Sequence, residues 1–402
     1  MAQKVNKLFK ERKSGVLLHL TSLSSGNLGR DAYKFVDWLS DAGQTYWQIL
    51  PIGPTGKGGS PYSALSSFSG EPSMVCDEIK VNMDGFEEWK FQNAWWLDAW
   101  CGRSKKKAIV QYKFAKQWKL LREYAAKSGI KLICDVPIFV GAYSIDVIAN
   151  ADIFRINRNG NQIVVTGVPT DCFSKDGQRW GHPHYNWAEH KKNNFAWWRN
   201  RIRLNLERFD LIRIDHFIGL HHAYEISARA KTARKGVWKR APGRELLQAM
   251  HNEFGDLPFI AEDLGHLTKP VEKLRDDFCL PGVRITQQGM WDHNSRDYHK
   301  NHPKLSVAYT GTHDTDTVVG WWNALSTHGI EESIHEKVIR TTMGSPATIA
   351  IIPMQDVLGL GSEARMNTPG TIHGNWKWKL PPGSLTKKTA KWLKEITRKS
   401  KR

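Results

Sequence analysis

The chain is poor in the features that lead a protein out of the cell or into a membrane. Its five cysteines, Cys76, Cys101, Cys134, Cys172 and Cys279, are odd in number, widely scattered and without a CxxC pair. Neither a disulfide framework nor a thiolate metal site is expected, and they read as reduced thiols of a cytosol-like compartment. No apolar run approaches the roughly eighteen residues needed to span a bilayer. The basic stretch Met1–Ser14 lacks the apolar core of a secretory signal. A cytoplasmic protein with no membrane partner is the expectation. A GxGxxG fingerprint, a P-loop lysine, a convincing Ser–His–Asp order and any cluster with zinc-ligand spacing are missing as well. These absences remove the common dinucleotide, nucleotide, serine-hydrolase and zinc classes, so no cofactor and no metal is expected. Internal repeats and low-complexity linkers are lacking too, and 402 residues read most economically as one domain with insertions.

Acidic residues are scarce beside basic ones, 40 against 58, giving a net charge of +18. Such an excess raises the question of nucleic acid. Residues 1–13 and 387–402 alone carry eleven of the eighteen charges, however, and terminal charge runs are usually solvated faces or tails. No specific nucleic-acid partner is expected, only weak and salt-sensitive association with polyanions. Tryptophan is plentiful at 18, with pairs at Trp95-Trp96, Trp197-Trp198 and Trp321-Trp322 and a near-pair at Trp376 and Trp378. Indole rings suit a protein core and equally suit the C–H faces of sugars, and the count alone decides between neither.

Eight short apolar runs bounded by turn residues read as strands: Gly15–Leu23, Thr45–Pro54, Ile130–Phe139, Phe209–Phe217, Pro258–Gly265, Gly282–Met290, Ser306–Asp314 and Ala347–Leu358. Amphipathic patterns separate most of them, at Asp31–Ala42, Ala108–Ser128, Asn193–Leu206, Gly243–Phe254, Lys269–Phe278, Asp316–Ala324 and Ile330–Thr342, with a last helix near Ser384–Lys399. Strands alternating with helices imply a parallel sheet, and eight of them suggest closure into an α/β (β/α)8 TIM barrel. Two connections are too long for a bare barrel: residues 55–107 after the second strand and 140–192 after the third. Both lie on the side of the βα loops, where such barrels build their clefts.

Three of the predicted strands end in carboxylates: Asp215 after Leu211-Ile212-Arg213-Ile214, Glu262 after Phe259-Ile260-Ala261, and Asp314 after the run from Ser306. A lone strand-end Asp is often no more than a helix cap. Three on different strands of one barrel converge on one mouth, where such residues read as catalytic. Period two puts Arg213 on the face of Asp215, where its charge is expected to keep that carboxylate ionised. Converging carboxylates without a cofactor suit glycoside cleavage, which needs two carboxyl groups held at different pKa values. Asp215 is then the nucleophile, Glu262 the general acid and base, and Asp314 the group that grips sugar hydroxyls as charge develops.

The blocks Arg213-Ile214-Asp215-His216-Phe217, Ala261-Glu262-Asp263-Leu264-Gly265 and Thr310-Gly311-Thr312-His313-Asp314 resemble those of the amylomaltases, the 4-α-glucanotransferases of glycoside hydrolase family 77. Leu50–Pro54, Ser60-Pro61-Tyr62, Asp135–Ile138, Gly177–Gly181, Gln355–Gly359 and Arg365–Gly370 extend the likeness over nearly the whole chain. The resemblance implies disproportionation of α-1,4-glucans (maltooligosaccharides, starch or glycogen) with retention, through a covalent glucosyl-Asp215 released to another sugar's 4-hydroxyl. It also implies support from Arg213 and His313, stacking of Tyr62 on the transferred sugar, Asp135 at the same subsite and Trp180 on the acceptor side. Several positions depart from the family pattern: Gly59, Cys134, Gly141-Ala142-Tyr143, Thr170, Cys172, His182, Ile218 and Thr315. The chain is also shorter than most members between residues 72 and 110. Two other readings fit the same residues, an α-glucan hydrolase and a carbohydrate-binding protein with weakened catalysis.

Overall fold

Alternating apolar residues decide which way each barrel strand faces, and the computed structural model follows that alternation. It describes residues 6–56, 58–170, 174–325, 333–371 and 373–402. The predicted position of Cys172 and the start of the helix predicted from Ile330 lie outside the described residues. In chain order the strands are β1 (Lys13–Leu17), β2 (Tyr46–Ile49), β3 (Lys131–Pro137), β4 (Val164–Val168), β5 (Gln178–Pro183) and β6 (Leu211–Asp215). They continue with β7 (His222–Ser227), β8 (Val237–Arg240), β9 (Phe259–Ala261), β10 (Gly282–Ile285), β11 (Ser306–Tyr309) and β12 (Ile349–Pro353). Eight of these close a ring in the order β1-β2-β3-β6-β9-β10-β11-β12. Every neighbouring pair in it is parallel. Seven strands of this (β/α)8 barrel fall within the predicted runs, and β1 overlaps the first run but begins two residues before it, at Lys13.

Leu211, Ile260, Val307, Tyr309 and Ile349 belong to the apolar cluster inside the ring. Ile212, Ile214, Phe259 and Ala261 belong to the larger cluster between the ring and its helices. With period two, Arg213, Asp215 and Glu262 therefore continue the inward-facing rows. The helices stand where the patterns place them, at Arg30–Asp41, Lys105–Lys127, Ala196–Arg208, Gly243–Phe254, Lys269–Asp277, Val318–Ala324, Ile334–Gly344 and Lys387–Lys399. Their ends shift by at most about one turn. Gly43 and Gly129 follow two of them at φ +66° and +76°, a left-handed conformation that glycine adopts without cost. The last helix is capped by the Thr386 side chain, which accepts from the Thr389 N–H at 3.0 Å. It buries Ala390, Leu393 and Ile396 and leaves its lysines to solvent.

One part of the fold departs from the sequence expectation. The segment 140–192, read only as a loop, contributes β4 and β5 to a separate four-stranded antiparallel sheet in the order β5-β4-β7-β8. The other two strands come from between β6 and β9. The segment 55–107 likewise holds the short helices Phe86–Gln92 and Ala94–Cys101. Of the 18 tryptophans whose role the count left open, seven are buried, Trp47, Trp118 and Trp198 fully, while others such as Trp95 and Trp291 are about half exposed. Cys76, Cys101 and Cys134 are buried and form no disulfide. Among the described residues no helix is long and apolar enough to cross a membrane.

Candidate active site

The mouth of the barrel is organised by one guanidinium. Arg213, 4% exposed, lies on β6 beside β3, in register with Asp135. Its Nη1 donates to Asp135 Oδ2 at 2.6 Å and to Asp215 Oδ1 at 3.1 Å. The Asp135 side chain is wholly inaccessible, so it reaches the mouth only through its partners. Those are Arg213 and Tyr62, whose hydroxyl donates to Asp135 Oδ2 at 2.9 Å. The Tyr62 ring lies nearly parallel to His313, with centroids 5.0 Å apart and planes 15° apart, and tilts against Trp376 at 5.7 Å. Segments distant in the sequence are thus locked by a buried charge pair and a ring stack. Arg213→Met leaves two carboxylates without their shared cation. It is expected to cost about 3–5 kcal/mol in urea unfolding; a loss below ~1 kcal/mol, the range of a surface pair, would contradict this organising role.

Electrostatics differ between the carboxyl groups. Burial pushes Asp215 above the ordinary carboxylate range, and Arg213 pulls it back only in part. Arg213 pulls Asp215 toward the ionised form, as expected, and burial, the larger influence, outweighs it. Burial raises Glu262 further, well above Asp215, against Arg213 and with the help of the Asp215 charge. The two groups are therefore driven apart in the sense that acid–base work requires. Asp314 goes the other way. Burial would raise it, but His313 Nε2 at 3.3 Å from Oδ2 and the Asn367 amide, donating to Oδ1 at 2.6 Å, bring it down to about 2. Its side chain is still 43% exposed, so solvent moderates the pairing while leaving the direction intact. Burial alone would lower His313, and the Asp314 charge outweighs that and raises it.

Glu262 is held by backbone. The His216 N–H donates to Oε2 at 2.6 Å and the Leu264 N–H to Oε1 at 3.1 Å. His216 takes a left-handed φ of +50°, and the turn it makes after Asp215 also lets the Phe217 N–H reach the Glu262 carbonyl at 2.9 Å. Its ring stands edge-on to Trp180 at 4.8 Å. That contact carries Trp180, on β5 of the side sheet, to the residue following Asp215.

The structure thus brings Tyr62, Asp135, Arg213, Asp215, His313 and Asp314 into one linked set, and it links Glu262 and Trp180 to the same turn through His216. Sequence reasoning missed Asn367, the Arg365 guanidinium on the Asp314 carbonyl at 2.7 Å, and the two peptide donors to Glu262. The block Arg365–Gly370 was the available signal for the first two. Among the described residues no group of three or more His, Cys, Asp or Glu side chains is placed to hold a metal ion.

Fold and mouth together define a (β/α)8 barrel with ionisable side chains gathered at the C-terminal ends of its strands. Comparison with known proteins narrows the class. The sequence model of the 4-alpha-glucanotransferases of glycoside hydrolase family 77 matches residues 18–99 and 102–386. The chain is 35% identical to a 4-alpha-glucanotransferase of Thermus thermophilus, over 93% of this chain and 96% of that protein. It is 34% identical to one of Aquifex aeolicus, over 94% and 97%. Among solved structures, an amylomaltase from Streptococcus agalactiae in complex with acarbose superposes with a TM-score of 0.91 at 31% identity, covering 98% of this chain and all of that one. The chain belongs to glycoside hydrolase family 77, a family of 4-alpha-glucanotransferase enzymes.

Proposed function

We propose that this protein transfers α-1,4-glucan segments to the 4-hydroxyl of an acceptor glucan or glucose by a retaining double displacement through a covalent glucosyl-Asp215. The observation that carries the reading is the pair at the ends of the adjacent strands β6 and β9: Asp215 is braced by Arg213, and Glu262, just past β9, is raised further by burial. In the first step Asp215 attacks the anomeric carbon while Glu262 gives its proton to the departing glycosidic oxygen. In the second, Glu262, now a carboxylate, takes the proton of the acceptor 4-hydroxyl as that oxygen displaces Asp215. Asp314, ionised by His313 and Asn367, grips sugar hydroxyls as positive charge develops on the ring. Tyr62 offers its ring to the transferred sugar, with Asp135 and His313 fixing the ring's position. Trp180 lines the acceptor side. Buried thiols without disulfides suit a cytoplasmic setting.

The reading predicts that maltotriose alone gives glucose together with a ladder of longer maltooligosaccharides when products are separated by size. Glucose and maltose without the ladder would mean that water replaces the acceptor and would favour the hydrolase. No products, with sugar binding still measurable, would favour a binding protein. The acarbose-bound amylomaltase that this chain resembles supports an α-glucan as the ligand.

A further inference from the structure

Asp263, next to Glu262, is a buried carboxylate that the reaction does not use. Its side chain is inaccessible, yet Arg275, Arg284 and Arg296 all face it. Arg275 Nη1 donates to Oδ2, and the Val283 N–H donates to Oδ1 at 2.9 Å, tying β9 to β10. Arg284 Nη1 stands 3.5 Å from Oδ1. Those contacts explain a structural anchor. Arg296 does something more. It lies on the segment between β10 and β11, and its two terminal nitrogens divide their work. Nη2 donates to Asp263 Oδ2 at 3.0 Å, and Nη1 donates to the Asp263 backbone carbonyl at 3.3 Å.

That carbonyl belongs to the same peptide unit as the Leu264 N–H, which donates to Glu262 Oε1 at 3.1 Å. A trans peptide is planar, with its C=O and N–H pointing in opposite directions. Fixing the carbonyl therefore fixes the direction of the N–H, and a cation on the carbonyl oxygen makes that N–H a stronger donor. We propose that Arg296 is a positioning residue for Glu262, acting through the Asp263–Leu264 peptide to aim one of the two hydrogen bonds that orient the acid–base carboxyl group.

The proposal rests on the assignment of Glu262 as acid and base. The charged and titratable groups facing Glu262 are Arg213 and Asp215 on β6, Tyr309 on β11 and the neighbouring Asp263 just past β9. Arg296 makes no contact with Glu262 and acts on it through the peptide. Hydrogen bonds to a carboxylate favour its ionised form. Loss of Arg296 frees the Asp263–Leu264 peptide and weakens the bond it donates, so the protonated form of Glu262 persists to higher pH. The alkaline limb of activity, set by the general acid, moves up.

The test measures kcat/KM for maltotriose disproportionation against pH in the wild type, Arg296→Ala, Arg296→Lys and Glu262→Gln proteins, with thermal unfolding recorded for each. Arg296→Ala is expected to raise the alkaline limb by about one pH unit. Its kcat is expected to fall about tenfold, with KM changed less than about twofold. Arg296→Lys keeps the charge, but one ammonium cannot hold the carbonyl and Oδ2 together, so a smaller shift in the same direction is expected. It also decides the matter where the alanine variant does not fold. An unmoved limb in the folded Arg296 variants, whatever their rates, overturns the proposal and leaves Arg296 a structural strut. A Glu262→Gln protein that keeps rate and alkaline limb overturns the acid–base reading instead, so the two failures are told apart.

Discussion

An Asp215→Asn protein is expected to bind maltotriose with near-native affinity and to turn it over at least about 10⁴-fold more slowly. The amide has the shape of the carboxyl group, and its oxygen can still accept from Arg213, which now stands at 3.1 Å from Oδ1. What it lacks is a negative oxygen to form the bond to the anomeric carbon. No side chain stands ready to replace it, because Asp135 is inaccessible beneath Tyr62 and Arg213, and Asp314 is engaged by His313 and Asn367. Calorimetric titration with maltotriose and size separation of products from the same preparation give both halves of the result. Wild-type turnover would end the nucleophile assignment, and loss of binding along with turnover would mean that Asp215 serves mainly to hold sugar.

The second large effect separates the two halves of the proposed reaction. Glu262→Gln is expected to lose about 10²- to 10⁴-fold on maltotriose, whose departing oxygen needs a proton. With a maltosyl fluoride donor the first step should survive, because fluoride leaves without protonation. Release of fluoride in a burst equal to the enzyme concentration would report the glycosyl-enzyme. If both donors lose rate equally, Glu262 is not the acid. The variant carries a structural cost as well, since Glu262 accepts from two peptide N–H groups and a glutamine has only one oxygen to offer. Leaving one buried donor unmatched costs about 1–3 kcal/mol, which thermal unfolding of the same protein would register.

The frame of the barrel was legible because it is written in alternation. In Leu211-Ile212-Arg213-Ile214-Asp215 the isoleucines face the helices while Leu211, Arg213 and Asp215 share the inner row, and period two alone predicts that division. Tertiary pairing, by contrast, leaves little trace in composition. Strand β5, Gln178–Pro183, has one large apolar residue in six, and its strand state comes from pairing with β4. The donors to Glu262 were hidden for another reason. Every residue but proline carries a peptide N–H, so the aim of the one on His216 depends on a left-handed turn that no residue type spells out. The balance at Asp215 was equally hidden, because a neighbouring arginine can be read from sequence and the depth of burial cannot.

The closing seam of the ring bears on how the protein comes to exist at all. Lys13 pairs with Ile349, so the first strand meets the last only after the intervening chain has been gathered in. Pairings of such long sequence separation form slowly, since the entropy of a large loop is lost before its contacts are gained. The residues at the mouth are spread in the same way, from Tyr62 to Asn367, and no contiguous stretch carries a working subset. A chain interrupted during synthesis, or cut before the ring closes, therefore holds no partial catalyst. Activity reports completed folding of the whole barrel, and assembly intermediates are silent in any transfer assay.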